Sequence, residues 1–309
     1  KQNKNMKKVI VRLGNGLGNQ LFTYAAAYCF AKKNNADLYV DDESGFYKRY
    51  KYELHNFKIS ASIVDKKHKF IGMQGRIKRK ILIKLNNLKK NKIFLIETRD
   101  FNKLTSFNND QFNLNFNNKL YFEGYFQSEK YFIEEKNNIR NEFSFQKEII
   151  DQKNSLIENI KRTNSISIHI RQDKYLADEG HKNIEKLNKE HFKLNVENTK
   201  KGIDYFDKKF NNPSYFIWSN NFSGLRDLFP SNKFIFVDEN LKKDPAYDLH
   251  MMSLCKHFIL SPSTMHYWGA YLSKNNEKIC IAPRNIINNS GYYGFSNNKD
   301  IKPEWWKEV

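Results

Sequence analysis

Cysteine is scarce in this chain: Cys29, Cys255 and Cys280 are its three, odd in number, far apart and set in apolar runs. There is no Cys-x-x-Cys pair and no His-x-x-x-His spacing. Neither a disulfide framework nor a thiolate or imidazole metal site is therefore indicated, and the thiols read as buried in a reducing cytoplasm. No Asp-x-Asp pair is present to hold a divalent ion against a diphosphate. The longest apolar run, near residues 21–31, falls well short of the roughly 20 residues that a spanning helix needs. The start, "KQNKNMKKVIVRLGNG", is basic but lacks the apolar core of a signal peptide. The expectation is a cytoplasmic protein, soluble or held peripherally on the inner membrane face. No repeat of solenoid period occurs, and no nucleic-acid-binding motif.

What is present suffices for packed cores. Hydrophobic residues make up 39% and aromatic residues 15% of 309 positions, enough for two ordinary domains or one large one. Lysine and arginine outnumber the acids by 53 to 34, a net charge of +19. Such a charge favours anionic partners: nucleic acid, anionic lipid or phosphorylated small molecules.

The opening reads strand, glycine loop, helix, strand: "KKVIVRL", "GNGLGNQ", "LFTYAAAYCFAKKNN", "ADLYVDD". That is the first unit of a doubly wound sheet, whose ligands gather at the carboxyl ends of the strands. Residues 61–120 are less regular, and a second block starts at "LYFEGYFQSEKYF" and runs through a helix to about residue 145. From residue 147 a new series begins. A helix through "IIDQKNSLIENIKRT" precedes the strand "SISIHI" and a long helix. Strands at "SYFIWSNN", "KFIFVDE", "FILSPS" and "KICIAP" then alternate with helices at "DLHMMSLCKHF" and "TMHYWGAYLSKN". The expected class is α/β, with two Rossmann-like domains over residues 1–146 and 147–290. A tail over 291–309, bearing Trp305 and Trp306, is expected to pack back on the body.

Three constellations could carry chemistry. Gly14 to Gln20 sits between a strand and a helix, where backbone N–H groups and the helix dipole can hold a diphosphate or a sugar. It is neither Gly-x-Gly-x-x-Gly nor a Walker loop, and a tight turn without ligand is the plain alternative. His169 and Arg171 lie two apart at the end of "SISIHI", so an extended backbone points both to one face. Arg171 can clamp a phosphate through parallel N–H bonds, or be a surface cation beside a satisfied core histidine. Ser261, Ser263 and Thr264 follow a strand and open a helix, fit for phosphate or for plain capping; Asp248, opening the previous helix, carries the same ambiguity. Two αβ halves, each offering an anion-accepting helix start, suggest a cleft that closes on a nucleotide diphosphate.

In order along the chain, "GNGLGNQLFTYAAAYCFA", "KYELHNF", "YFEGYFQSEKYF", "SIHIRQDKY", "FIWSNN", "DLHMMSLCKHFILSPSTMHYWGAYL", "KICIAP" and "DIKPEWWKEV" resemble bacterial glycosyltransferase family 11. That family is typified by GDP-fucose-dependent α-1,2-fucosyltransferases. The resemblance implies a GT-B fold with a cleft between its domains, an inverting transfer without metal or other cofactor, and a surface glycan such as O-antigen or capsule as acceptor. It implies that Arg171 grips the donor β-phosphate, that His169 and Asp248 bind guanine, and that Ser263 and Thr264 bind phosphates. Gly16, Gly18, Asn19 and Gln20 would close the site near sugar and acceptor. Glu179, ten residues past His169, stands where distant relatives place a catalytic glutamate, and Asp173 and Asp178 compete with it as general base.

The family usually reads His-Ile-Arg-Arg-Gly-Asp-Tyr where this chain has Gln172 for the second arginine and Lys174 at the aspartate position. Trp218 to Asn221 replace Phe-Ser-Asp-Asp, and Thr264 to Gly269 replace Ser-Phe-Ser-Trp-Trp-Gly. These departures keep a different nucleotide-sugar donor open as an alternative. A basic nucleic-acid-binding protein is the rival of another class, although it leaves the glycine loop and the His-x-Arg block unexplained. An inactive relative that only binds glycan is a third.

Residues 66–92 are dense in Lys and Arg. Ile77, Ile81, Leu85 and Leu88 share one helical face there, with basic residues spread around the rest. The stretch is either a solvated helix or a peripheral contact with anionic lipid, which would suit a lipid-linked oligosaccharide acceptor.

Overall fold

The computed structural model describes residues 7–46, 50–97, 107–151, 155–173, 183–237, 244–282 and 300–308. The chain divides into two compact units. The first comprises residues 1–100, 104–146 and 298–301; the second comprises 101–103, 147–297 and 302–309.

The first unit contains β1 (Lys7–Arg12), α1 (Leu17–Lys33), β2 (Ala36–Asp41), β3 (Ser62–Ile63), α2 (Gly72–Leu88), β4 (Phe94–Ile96), β5 (Lys119–Glu123) and α3 (Lys136–Glu142). All five strands are parallel, in the order β3-β2-β1-β5-β4. Strand β1 is central because Val9, Ile10 and Val11 are an unbroken apolar run, buried on both faces as a parallel sheet demands. From β1 the chain winds outward through β2 to β3. It then returns to the far edge at β4 and comes in to β5, so the order reverses between β1 and β5.

Helix α2 lies on the sheet by one face only. Gly75, Arg79, Leu82, Ile83 and Asn86 are its covered positions, and Leu82 and Ile83 join a cluster built on Phe70, Phe94 and Tyr121. The Ile77–Ile81–Leu88 face points to solvent instead.

The second unit contains α4 (Lys147–Ile150), α5 (Ser155–Arg162), β6 (Asn164–Ile170), α6 (Ile184–Lys209), β7 (Pro213–Ser219), α7 (Leu225–Leu228), β8 (Phe234–Phe236), α8 (Pro245–Leu254), β9 (His257–Ile259), α9 (Thr264–Leu272), β10 (Cys280–Ala282) and β11 (Lys307–Glu308). The one helix expected over residues 149–163 is two, α4 and α5. Six parallel strands run β11-β10-β9-β6-β7-β8. The chain leaves β6 on one side and returns on the other at β9, which puts the reversal point between them.

Strand β6 has two unlike faces. Ile166, Ile168 and Ile170 join the core formed by Val196, Ile203 and Phe206 of α6 with Tyr215, Ile217 and Ile259. On the other face Ser165 and Ser167 are fully buried, and the serine Oγ at 165 accepts the Lys256 N–H at 3.1 Å. Small residues there let α8 and α9 lie close to the sheet. The two helices in turn meet at Gly269, where a Cβ would stand 2.9 Å from that of Met252. Trp306 is buried against Tyr267, with ring centroids 5.6 Å apart. Cys255 and Cys280 are buried and Cys29 half-buried, and desolvation raises all three thiol pKa values.

Candidate active site

In open parallel sheets ligands bind beyond the carboxyl ends of the strands, where the strand order reverses. In the second unit that point lies between β6 and β9. His169 is the last but one residue of β6, paired in register with Trp218 of β7. Its ring stands edge-on to that of His266, with centroids 5.9 Å apart and planes at 68°.

His266 is fully buried and held at both nitrogens. The Ser261 N–H donates to Nδ1 at 3.4 Å, so the ring proton sits on Nε2 and is donated to Ser167 Oγ at 3.0 Å. Burial, then the neighbouring His169, drives its pKa well below the usual imidazole value. His169 is likewise neutral: burial first and the Arg171 charge second bring it to about 4. Among the described residues its Nδ1 is buried without a hydrogen-bond partner, and so is Ser261 Oγ just past β9. Two orphaned polar atoms at one reversal point are a place where a ligand would supply the missing partners.

Arg171 lies one residue beyond β6 rather than within it, so the strand does not carry it to the face of His169. It is half-buried, and no described residue forms an ion pair with it. Gln172 is a staple. Its backbone N–H donates to Asn220 Oδ1 at 2.9 Å, and its side-chain amide donates to the carbonyls of Asn221 and Ser223 at 2.7 and 2.9 Å. The amide that replaces the second arginine of the family pattern therefore holds the loop after β7. Asp173 is exposed and accepts from Asn221 Nδ2 at 3.4 Å. Glu179, Asp178 and Lys174 lie outside the described residues.

Asp248 stands in the first turn of α8, whose N-cap, Asp244, accepts the Ala246 N–H at 2.9 Å. Burial and the like charge of Asp244 raise the Asp248 carboxyl to about 6. Ser263 caps α9, its Oγ accepting the His266 N–H at 3.4 Å, and Thr264 is the first residue of that helix. Capping uses a lone pair of Ser263 and leaves its O–H free to donate. No acidic side chain lies in the first turn of α9 to neutralise its dipole.

In the first unit the reversal point lies between β1 and β5, and the glycine loop leaves β1 there. Asn15 is left-handed at φ 62°, and Gly14 approaches Gly45 so closely that a Cβ would stand 2.6 Å from its carbonyl oxygen. Gly16 is the N-cap of α1, and neither a capping side chain nor a first-turn acid covers that helix start. Gln20 is fully buried; its Nε2 donates to the carbonyls of Asn15 and Lys51 at 2.8 Å, and its Oε1 accepts the Glu53 N–H at 3.0 Å. It braces the loop from within. Asn19 Oδ1 accepts from Gln127 at 2.7 Å, and Gly18 lies in the first turn of α1.

Sequence reading passed over the charged cluster beside this loop. Arg79 of α2 forks onto Glu123 at the end of β5, with Nε 2.9 and 3.1 Å from the two carboxylate oxygens, and Arg12 of β1 stands 3.6 Å away. A signal existed: Arg12 and Glu123 are single charges closing apolar strands, the pattern that drew attention to His169. Among the described residues no group of three or more His, Cys, Asp or Glu is placed to hold a metal ion.

The family model described as glycosyl transferase family 11 matches residues 8–308. An alpha-1,2-colitosyltransferase of Escherichia coli is 28% identical over 98% of this chain and 99% of its own length. The O-antigen biosynthesis glycosyltransferase WbnK of Escherichia coli is 27% identical over 88% of this chain and 92% of its own. Among solved structures, the Bradyrhizobium alpha-1,6-fucosyltransferase NodZ soaked with GDP-fucose superposes with a TM-score of 0.52. That match covers 86% of this chain and 92% of NodZ at 14% identity, a likeness of fold alone.

Proposed function

The chain belongs to glycosyltransferase family 11, and from that premise we propose that it moves L-fucose from GDP-fucose to a hydroxyl of a bacterial surface glycan. The transfer makes an α-1,2 linkage with inversion and needs no metal. The observation that carries this reading is the set at the β6/β9 reversal point. There a neutral histidine with a buried nitrogen that has no partner among the described residues, an arginine that forms no ion pair among them, and a helix start without a first-turn acid lie at the carboxyl end of one sheet.

On this reading His169 and Asp248 hold guanine. An ionised Asp248 accepts the N1–H and the exocyclic amine of the base together, a pairing no other base offers so well. Arg171 forks onto the β-phosphate, and the α9 start with Ser263 and Thr264 takes up the remaining phosphate oxygens. In the first unit the loop of Gly16, Gly18 and Asn19, braced by Gln20, serves the acceptor side. The acceptor oxygen attacks the anomeric carbon as the bond to the β-phosphate oxygen breaks. That bond's electron pair goes to GDP, where Arg171 and the α9 dipole stabilise it. The acceptor proton goes to a carboxylate, Glu179 or Asp173.

A second reading concerns the donor only. The relative named as a colitosyltransferase aligns over nearly the full length of both chains. Colitose is fucose without its 3-hydroxyl, so a family member can be selective for a donor differing by one oxygen. Calorimetry with GDP, GDP-fucose, GDP-colitose, GDP-mannose and UDP-galactose, with and without EDTA, tests both. Binding of guanine nucleotides in EDTA, lost in Arg171→Ala, is expected. Binding of a non-guanine donor alone would overturn the base assignment, and dependence on a divalent ion would overturn the metal-free transfer.

A further inference from the structure

Helix α2 has two apolar faces where one would do. The first lies on the sheet, and it is fastened there. Arg79 forks onto Glu123, while Asn86 accepts the Ile93 and Phe94 N–H groups at 2.7 and 2.9 Å and donates to the Phe94 carbonyl at 3.1 Å. At 100° per residue the opposite pole holds Ile77, Ile81 and Leu88. These are 52%, 53% and 84% exposed, with Met73 at 78% beside them. A merely solvated face would carry its charges there and its aliphatic residues elsewhere. A shallow groove lined by Gln74, Ile77, Lys78, Ile81 and Leu82 runs where this side meets the covered one.

The charge around this pole has one sign. No Asp or Glu occurs from residue 66 to residue 92; Lys84 lies within the aliphatic strip, Lys80 and Arg76 on one side of it and Lys78 on the other. None of these four forms an ion pair among the described residues. A second copy of the chain on this face would set cations against cations across a two-fold axis. We propose that the outer face of α2 docks on an anionic lipid bilayer. Its aliphatic pole enters the boundary between headgroups and acyl chains, and its cations meet lipid phosphates. Because the inner face is fastened to the sheet, the pole stays turned outward without the helix having to unpack. The helix lies in the plane of the surface: no helix among the described residues is long and apolar enough to cross a membrane.

The test is co-sedimentation of the full chain with phosphatidylcholine vesicles, with and without about one third phosphatidylglycerol. Binding to the anionic vesicles alone, weakened by salt, is expected. Ile77→Glu/Ile81→Glu should abolish it. Lys78→Gln/Lys80→Gln/Lys84→Gln should weaken it on the order of a hundredfold, about fivefold per charge removed. Both variants change exposed side chains, so their thermal midpoints should match the parent and separate lost docking from lost folding. Equal binding to neutral vesicles, no binding to anionic ones, or variants that bind like the parent would overturn the proposal. So would a concentration-dependent dimer that Ile77→Glu/Ile81→Glu turns to monomer, since the face would then belong to a second copy.

Discussion

His169 and His266 face each other edge to plane, 5.9 Å apart, and differ in one respect: His266 has both nitrogens hydrogen-bonded, whereas His169 has a buried Nδ1 with no partner. The inner ring is a structural pillar and the outer one is ready for a ligand. Replacing each should therefore have opposite consequences. His266→Ala removes a ring from a closed site and strands Ser167 Oγ, costing about 3 kcal/mol of stability. His169→Ala should cost less stability and more nucleotide affinity. Urea unfolding and GDP titration of the two variants separate these outcomes.

Arg171 has no ion-pair partner among the described residues, so its removal should leave the thermal midpoint nearly unchanged. Arg171→Ala should weaken GDP binding by about 2–3 kcal/mol, on the order of 30- to 200-fold. Arg171→Lys keeps the charge but loses the fork and should recover only part of that loss. Full affinity in the alanine variant would remove Arg171 from the site.

Asp248 makes nucleotide binding depend on pH. Its carboxyl is raised to about 6 by burial and by Asp244, and the proposed pairing with guanine requires it ionised. GDP affinity should fall as pH drops through about 6, and Asp248→Asn should bind weakly at every pH. The stability effect runs the other way. With the folded pKa above the unfolded value, the folded state holds an extra proton between about 4 and 6, so this residue favours folding more as pH falls. Asp248→Asn should stabilise the protein on the order of 1 kcal/mol at neutral pH and by less near pH 5. Urea midpoints at the two pH values check this.

Four histidines act in the opposite sense over an overlapping range. His169, His250 and His257 are depressed to about 4, and His266 lies well below the usual value, each chiefly through desolvation. Their contribution is complete above about 6.5, the unfolded value, and is lost progressively as pH falls toward about 4. Four against one, the histidines should win, and stability should decline from about pH 6.5 downward. A flat denaturation midpoint between pH 7 and 4.5 would show that they are protonated in the folded state.

Gln172 binds two carbonyls of the loop after β7. Gln172→Ala should cost about 1–2 kcal/mol of stability, and Gln172→Arg, which restores the usual family residue, should not recover it. If the arginine variant is instead more stable and binds GDP more tightly, the staple matters less than a second phosphate contact. Thermal melts with and without GDP distinguish the two.

The periodic elements could be read from the sequence because burial writes itself into alternation. Ile166, Ile168 and Ile170 mark β6, and the apolar runs of β1 and β7 are as plain, whereas β4 and β5 are not read as strands from it. Strands β3 and β11 have two residues each, too few to carry a period. The positions of His169, Asp248, Ser263 and Thr264 at strand and helix ends followed from the same alternation. The tautomer of His266 did not, nor did the Arg79–Glu123 fork, because each depends on partners from distant parts of the chain. For the outer face of α2 the sequence supports two readings, a solvated helix or a lipid contact, and the reason is physical. Helical periodicity reveals that an apolar face exists but not whether protein covers it.

Strand β6 is paired with β7 along all seven of its residues and with β9 along three. Its amides should be among the slowest in the chain to exchange with solvent, opening only when the whole unit unfolds. His169 is mounted on that strand and Arg171 is one residue off its end. On the proposed reading the imidazole therefore meets its ligand already in place and loses almost no freedom on binding, whereas the guanidinium can still turn to follow a phosphate whose charge changes during the reaction.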